Sequence, residues 1–277
     1  MELYITVPFE NADRFTQLMK KSGNNCQLIS VENVGHGFFN GDFFRKDNGD
    51  KYFNLTMYDT DVFLTNLGYL KGSPTIKRDL TLLACVGDSN TERKYPEFLQ
   101  QELRSSYQVK NYGKGAATII DGTLFPYHKT PQYTKALKLA PDIVLMMFGT
   151  NDANPKWCLD TTRKTDFIGT PQEEFKTGYL KLIDDFKKKN PKTEIYLMLP
   201  LPIYTQKKPD NKNIVQRKEQ LNQWVIPIIE TISVKQGLHL INCNKMMDNK
   251  EQYTTDGVHF TNEGYKYLAQ QIATEIQ

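Results

Sequence analysis

The sequence predicts an α/β protein whose larger part, residues 79–277, is a doubly wound parallel sheet of about five strands. Three observations predict it. Five short runs follow residue 79, four of them predominantly apolar, longer amphipathic stretches separate them, and the runs end in Gly, Asn, Pro or polar residues. Runs that are apolar at every position belong to strands covered on both faces. Strands alternating with helical stretches imply βαβ units, which build parallel sheets.

The first run, Leu80–Val86 (LTLLACV), ends in Gly87-Asp88-Ser89, and a helical stretch follows with Tyr95, Leu99 and Leu103 on one face. Tyr107–Asn111 is the second strand, closed by a Gly-rich turn. Asp142–Phe148 (DIVLMMF) is the third and ends in Gly149. Glu194–Leu199 ends in Pro200, and Leu238–Cys243 is the fifth. Helices are expected near 132–140, 172–189, 214–236 and 262–276. In such sheets ligands meet the carboxyl ends of the strands.

Residues 1–78 read as a separate small α+β or β-rich module. Leu3–Val7 is a short strand and Asn11–Lys20 a helix with Phe15 and Leu18 apolar. Gln27–Val34, Gly37–Phe44 and Tyr52–Tyr58 alternate like strands, with Asn48-Gly49-Asp50 as a hairpin signal. Its aromatics (Phe38, Phe39, Phe43, Phe44, Tyr52, Phe53) either pack the module against the larger domain or line a ligand surface. Lys71-Gly72-Ser73-Pro74 is the expected linker.

Composition excludes several function classes. Of 277 residues, 35 are Lys or Arg and 32 Asp or Glu, a net charge of only +3, so no nucleic-acid or anionic-membrane partner is expected. No apolar run approaches the roughly 18 residues that span a bilayer. The start Met-Glu-Leu-Tyr-Ile-Thr-Val is not a secretory signal, and an intracellular, cytoplasmic location is expected. Cys26, Cys85, Cys158 and Cys243 are scattered without zinc or CxxC spacing and read as free thiols. No metal or cofactor is expected.

Four loops carry candidate chemistry. Ser89 sits between a buried strand and a helix, at that helix's positive end; Ser89 or Thr91 as a mere helix cap reads equally well. Asn111-Tyr112-Gly113-Lys114-Gly115-Ala116 exposes backbone N–H groups at the end of the second strand. Gly149-Thr150-Asn151-Asp152 puts an amide after the most apolar strand, either an oxyanion donor or an Asx turn. Asp256-Gly257-Val258-His259 places an acid three residues before a histidine, so that the carboxylate can fold back on the ring and fix its tautomer. Of the four histidines, His36, His128, His239 and His259, only His259 has an acid at this spacing in a strand-to-helix loop.

Taken in order, these loops resemble the SGNH (GDSL-type) hydrolase superfamily over roughly residues 80–275, with the flavour of its sialate-O-acetylesterase-like members in Asn111–Leu137 and Pro141–Trp157, including Phe125-Pro126-Tyr127 and Trp157. The resemblance implies a flavodoxin-like fold and a serine esterase. Ser89 would be the nucleophile, Asp256 and His259 its triad partners, and the N–H of Ser89, the 113–116 turn and Asn151 the oxyanion hole. The implied substrate is a small ester with a short acyl group, an O-acetylated sugar among the candidates. Ungapped alignment places Ala116 where the family has a glycine, with Gly115 one position early. The donor is therefore Ala116 or Gly115, depending on whether the position needs positive φ. The competing reading is a catalytically retired SGNH-fold subunit, with residues 1–78 serving a protein partner or a homo-oligomer.

Overall fold

The structure is a computed structural model that describes residues 9–29, 37, 39, 51–72, 81–103, 107–154 and 169–276. The chain divides into two compact units, residues 1–80 with 104–106 and residues 81–103 with 107–277.

In the N-terminal unit, α1 (Phe9–Lys21) and α2 (Lys51–Asn66) are helices. α1 lies where a helix is expected. α2 overturns the strand expected at Tyr52–Tyr58. Its period-2 pattern covers only two helical turns, whereas the run without Gly or Pro continues to Asn66, long enough to favour a helix. The Thr60 hydroxyl donates to the Thr56 carbonyl and that of Thr56 to the Phe53 carbonyl, so the threonines are satisfied inside the helix. The strands expected at Leu3–Val7 and across most of 27–44, the hairpin signal at 48–50, Ser73-Pro74, His36, Trp157 and Cys158 lie outside the described residues. The described cysteines, Cys26, Cys85 and Cys243, are free thiols.

The second unit holds the sheet. Among the described residues its strands are β1 (Thr81–Gly87), β2 (Tyr107–Gly113), β3 (Ile143–Met147), β4 (Glu194–Met198) and β5 (His239–Ile241). All pair in parallel, in the order β2-β1-β3-β4-β5. The helices are α3 (Ser89–Glu92), α4 (Tyr95–Leu103), α5 (Pro131–Leu139), α6 (Pro171–Lys189), α7 (Lys212–Gln220), α8 (Ile226–Gln236), α9 (Cys243–Met246) and α10 (Asn262–Ile276). Alternate strand residues feed two cores, which explains why the central strands β1 and β3 are apolar almost throughout. Val86, Val144, Met146, Ile195 and Leu197 pack with Phe175, Tyr179 and Phe186 of α6 and with Ile229 of α8. Leu83, Cys85, Leu145, Met147 and Met198 pack with Tyr95 and Leu99 of α4 and with Tyr265 and Leu268 of α10. Each such fully buried large side chain contributes about 1.5–3 kcal/mol.

Local signals set the helix ends. Thr170 caps α6 in a capping box with Glu173, ahead of Pro171, and Lys187–Lys189 complement its C-terminal dipole. The single helix expected at 214–236 is α7 and α8 joined by a π-helical turn, Leu221–Val225. Pro227 has no N–H for the Gln223 carbonyl, and the helix widens just before it. That turn seats Val225 against Gly149, where a Cβ would collide with the Val225 side chain and where φ is +118°. No helix among the described residues is long and apolar enough to cross a membrane.

Candidate active site

The register of the sheet gathers the loops that hold the polar residues. Gly87 at the end of β1 is paired with Gly113 of β2 on one side and Met147 of β3 on the other. The chain then leaves all three strands at one level. Lys114 N–H donates to the Gly87 carbonyl at 2.9 Å, which ties the loop after β2 to the start of the turn that carries Ser89. Asp88 caps α3 by accepting from Asn90 N–H at 2.9 Å, so Ser89 occupies the first turn of that helix.

Ser89 Oγ lies 2.9 Å from His259 Nε2, and His259 Nδ1 lies 2.7 Å from Asp256 Oδ2. Residues 170 positions apart in sequence thus form one hydrogen-bonded chain. The other oxygen of Asp256, Oδ1, accepts the backbone N–H groups of Val258 and His259, both at 2.8 Å. Partial burial pulls the Asp256 pKa upward, but the His259 N–H, the His259 ring and the Val258 N–H outweigh it and hold the carboxyl down to about 2. An ionised carboxylate can only accept, so Nδ1 carries the proton and Nε2 is left to accept the Ser89 hydroxyl proton.

The loop that presents this pair is closed on itself. The Thr254 hydroxyl donates to the His259 carbonyl and accepts from Gly257 N–H, while the Gly257 carbonyl accepts from Tyr204 N–H. Gly257 has φ +83° and abuts the Tyr204 carbonyl, where a side chain would collide.

The loop after β2 decides between the two candidate donors. Ala116 has φ +66°, whereas Gly115 is not in the left-handed region. The positive-φ position is therefore Ala116, and the chain has not shifted to use the glycine. Gly115 instead lies against the Glu92 carboxylate. Among the described residues, neither the N–H of Ser89 nor that of Ala116 is taken by a protein acceptor. The amide of Asn151, buried at 6% exposure, donates one N–H to the Ala117 carbonyl at 3.0 Å.

Three residues in this region escaped the sequence reading. Tyr265 on α10 donates its hydroxyl to Asn90 Oδ1 at 2.7 Å and accepts from Phe260 N–H at 3.3 Å, joining the residue after Ser89 to the residue after His259. Asp152 accepts the N–H groups of Ile119 and Ile120. Asp88 and Asp152 are fully buried. Desolvation lifts them to about 6 and about 7, and the charge of Asp88 adds to the rise at Asp152. The Gly-Asp-Ser-Asn and Asn-Asp neighbours were visible as motif letters, but nothing in their spacing shows burial. Only the Tyr at the fourth position of the last helix gave no signal at all.

Comparison with known proteins fits this geometry. The profile of the GDSL-like Lipase/Acylhydrolase family matches residues 84–267. An acetylxylan esterase of Xylanibacter ruminicola is 28% identical over 288 aligned residues, covering 96% of this chain, so the match extends beyond the family region into the N-terminal unit. The chain spans 55% of the length of that relative. Among solved structures, a carbohydrate acetylesterase from Sinorhizobium meliloti superposes with a TM-score of 0.55 at 17% identity, covering 70% of this chain and 97% of its own. A lipase/acylhydrolase from Enterococcus faecalis superposes with a TM-score of 0.51 at 21% identity, covering 71% and 95%. Both share the fold. With a family profile matched over most of its length, and with the loops in the family's order, the chain belongs to the GDSL-like lipase/acylhydrolase family.

Proposed function

We propose that the chain is a serine esterase that removes short acyl groups, acetyl foremost, from a hydroxylated acceptor of the carbohydrate class through an acyl-enzyme. The observation that carries this reading is the unbroken Ser89–His259–Asp256 chain at 2.9 and 2.7 Å. It also favours an active hydrolase over a retired subunit, since a retired site has no reason to keep both distances. The acetyl group and the sugar rest on what the similar proteins are called: an acetylxylan esterase among relatives and a carbohydrate acetylesterase among neighbours of the fold.

The proposed steps follow from the donors and acceptors. His259 Nε2 takes the Ser89 proton as Oγ bonds to the ester carbonyl carbon, and the carbonyl π pair moves onto its oxygen. The resulting imidazolium is held by Asp256, which stays ionised throughout the neutral range. The oxyanion accepts from the N–H of Ser89, the N–H of Ala116 and the second N–H of the Asn151 amide. Collapse breaks the bond to the alcohol oxygen, which leaves with the proton from His259. Water then repeats the sequence on the acyl-enzyme and releases the acid.

Hydrolysis of p-nitrophenyl esters of increasing acyl length, beside acetylated xylan, tests the reading. Acetyl and propionyl esters are expected to turn over faster than octanoyl, and Ser89→Ala to abolish turnover. A rate that rises steadily with chain length would replace the short-acyl reading with a lipase-like one.

A further inference from the structure

Ala116 is held in a conformation that an L-residue adopts only under constraint, with φ +66° and no glycine to make it easy. A left-handed alanine persists only where its surroundings over-determine it. Ala117 N–H closes a local turn on the Lys114 carbonyl at 3.1 Å, and the loop after β3 adds a further constraint. Asp152 Oδ1 accepts Ile119 N–H at 2.8 Å and Ile120 N–H at 3.1 Å, and Asn151 donates to the Ala117 carbonyl at 3.0 Å. These three bonds fall on residues one, three and four beyond Ala116, and all are buried. Further along, the loop is stitched to itself, with Thr118 N–H donating to the Phe125 carbonyl at 3.0 Å and Tyr127 N–H to the Thr118 carbonyl at 2.8 Å. On its other side Lys114 N–H is fixed to Gly87 at 2.9 Å. Ala116 therefore lies between two anchored ends, one held by Gly87 at the end of β1 and one held by Asn151 and Asp152 in the loop after β3.

We infer that Asp152 is a positioning residue for the esterase reaction: its side chain clamps the 117–120 backbone so that Ala116 keeps its left-handed conformation and its N–H stays aimed for an oxyanion. The inference rests on the reading of Ala116 as an oxyanion donor. It also accounts for a buried carboxylate. A fully buried acid, pushed up to about 7 chiefly by desolvation, is costly to the fold, and two N–H bonds directed at a strained loop give it a use.

A cycle of variants tests the clamp by the sign of its coupling. Asp152→Ala is expected to lower kcat on p-nitrophenyl acetate about 10- to 100-fold with KM changed less than threefold, since the oxyanion bond matures only in the transition state. Asp152→Asn, whose amide oxygen can still accept both N–H groups, is expected to keep kcat within about threefold of wild type. Ala116→Gly placed in the Asp152→Ala background is expected to recover at least tenfold in kcat, because glycine adopts positive φ unaided. A merely structural loss at Asp152 would not be repaired by deleting a methyl group at position 116. If Asp152→Ala does not fold, Asp152→Ser serves in the same cycle, its hydroxyl being too short to span both N–H groups. Wild-type kcat in the truncated variant, or no recovery on adding Ala116→Gly, overturns the clamp while leaving the esterase standing. A wild-type enzyme inert toward both substrate and a fluorophosphonate probe overturns the esterase reading instead.

Discussion

Replacing Ala116 by glycine in the otherwise native chain puts a number on the strain in the candidate oxyanion loop. At φ +66° the alanine Cβ crowds the following carbonyl, at a cost of about 1–2 kcal/mol relative to glycine. Two consequences follow. In stability, relief of that strain is offset by the extra freedom glycine gives the unfolded chain, about 0.4–1 kcal/mol. The net gain is then about 0–1.5 kcal/mol, a rise in Tm of about 0–5 °C. In catalysis, glycine raises the fraction of molecules whose 116 N–H is correctly aimed. The strain sets a ceiling of about 5- to 30-fold in kcat, approached only if the native loop spends much time flipped. Because the clamp by Asp152 and Asn151 opposes flipping, the expected rise is less than tenfold. The assay is kcat on p-nitrophenyl acetate beside a thermal melt of the same preparation. A tenfold fall in kcat, or a Tm lowered by more than about 5 °C, would refute the reasoning, because it would mean that the alanine methyl makes a favourable contact rather than a strained one.

Other outcomes follow from the same geometry. Asn151→Ala is expected to lower kcat about 10²-fold with little change in KM, measured on the same ester; a matching rise in KM with kcat unchanged would make Asn151 a ground-state binder instead. The kcat/KM profile is expected to fall along a single acid limb as the base is protonated, with no second limb from Asp256, which stays ionised down to about 2; a profile flat down to about pH 4 would rule out a histidine base. Stability is expected to run the other way. Asp88 and Asp152, raised from 3.8 to about 6 and about 7 by burial, contribute stability that is fully present below pH 3.8 and lost as the pH rises through those values. Tm should therefore fall from about pH 4 to about pH 7, and Asp152→Asn should flatten the fall; an unchanged slope in that variant would show that Asp152 titrates elsewhere.

The sheet was legible in the sequence because its signal is redundant. In the central strands β1 and β3 the positions from Leu83 to Val86 and from Ile143 to Met147 face one core or the other and are apolar without a gap. The Ser89 and Asn151 loops were legible because each follows such a run directly, whereas Asp256 and His259 lie beyond α9 and were legible by their spacing. Tyr52–Tyr58 misled because seven residues of alternation fit both a strand and one flank of a helix, and the stop that distinguishes them lies at Asn66. The π turn was hidden because Pro227 announces an interruption but not its shape. At the candidate site, the letters of Ala116 posed the question and only the backbone angle answered it. Asp152 and Tyr265 could not be read as supports, because their partners at Ile119, Ile120, Asn90 and Phe260 are fixed by the tertiary fold rather than by spacing.

The central claim is that His259 activates Ser89, and reaction with a fluorophosphonate followed by intact-mass and peptide analysis tests it most directly. The account predicts one adduct per chain, located on Ser89, absent from Ser89→Ala and formed at least 10²-fold more slowly by His259→Ala, in line with the contribution of a general base of about 10²–10⁴. A native, folded chain that takes no adduct, or takes it on another residue at an equal rate in Ser89→Ala, would contradict it.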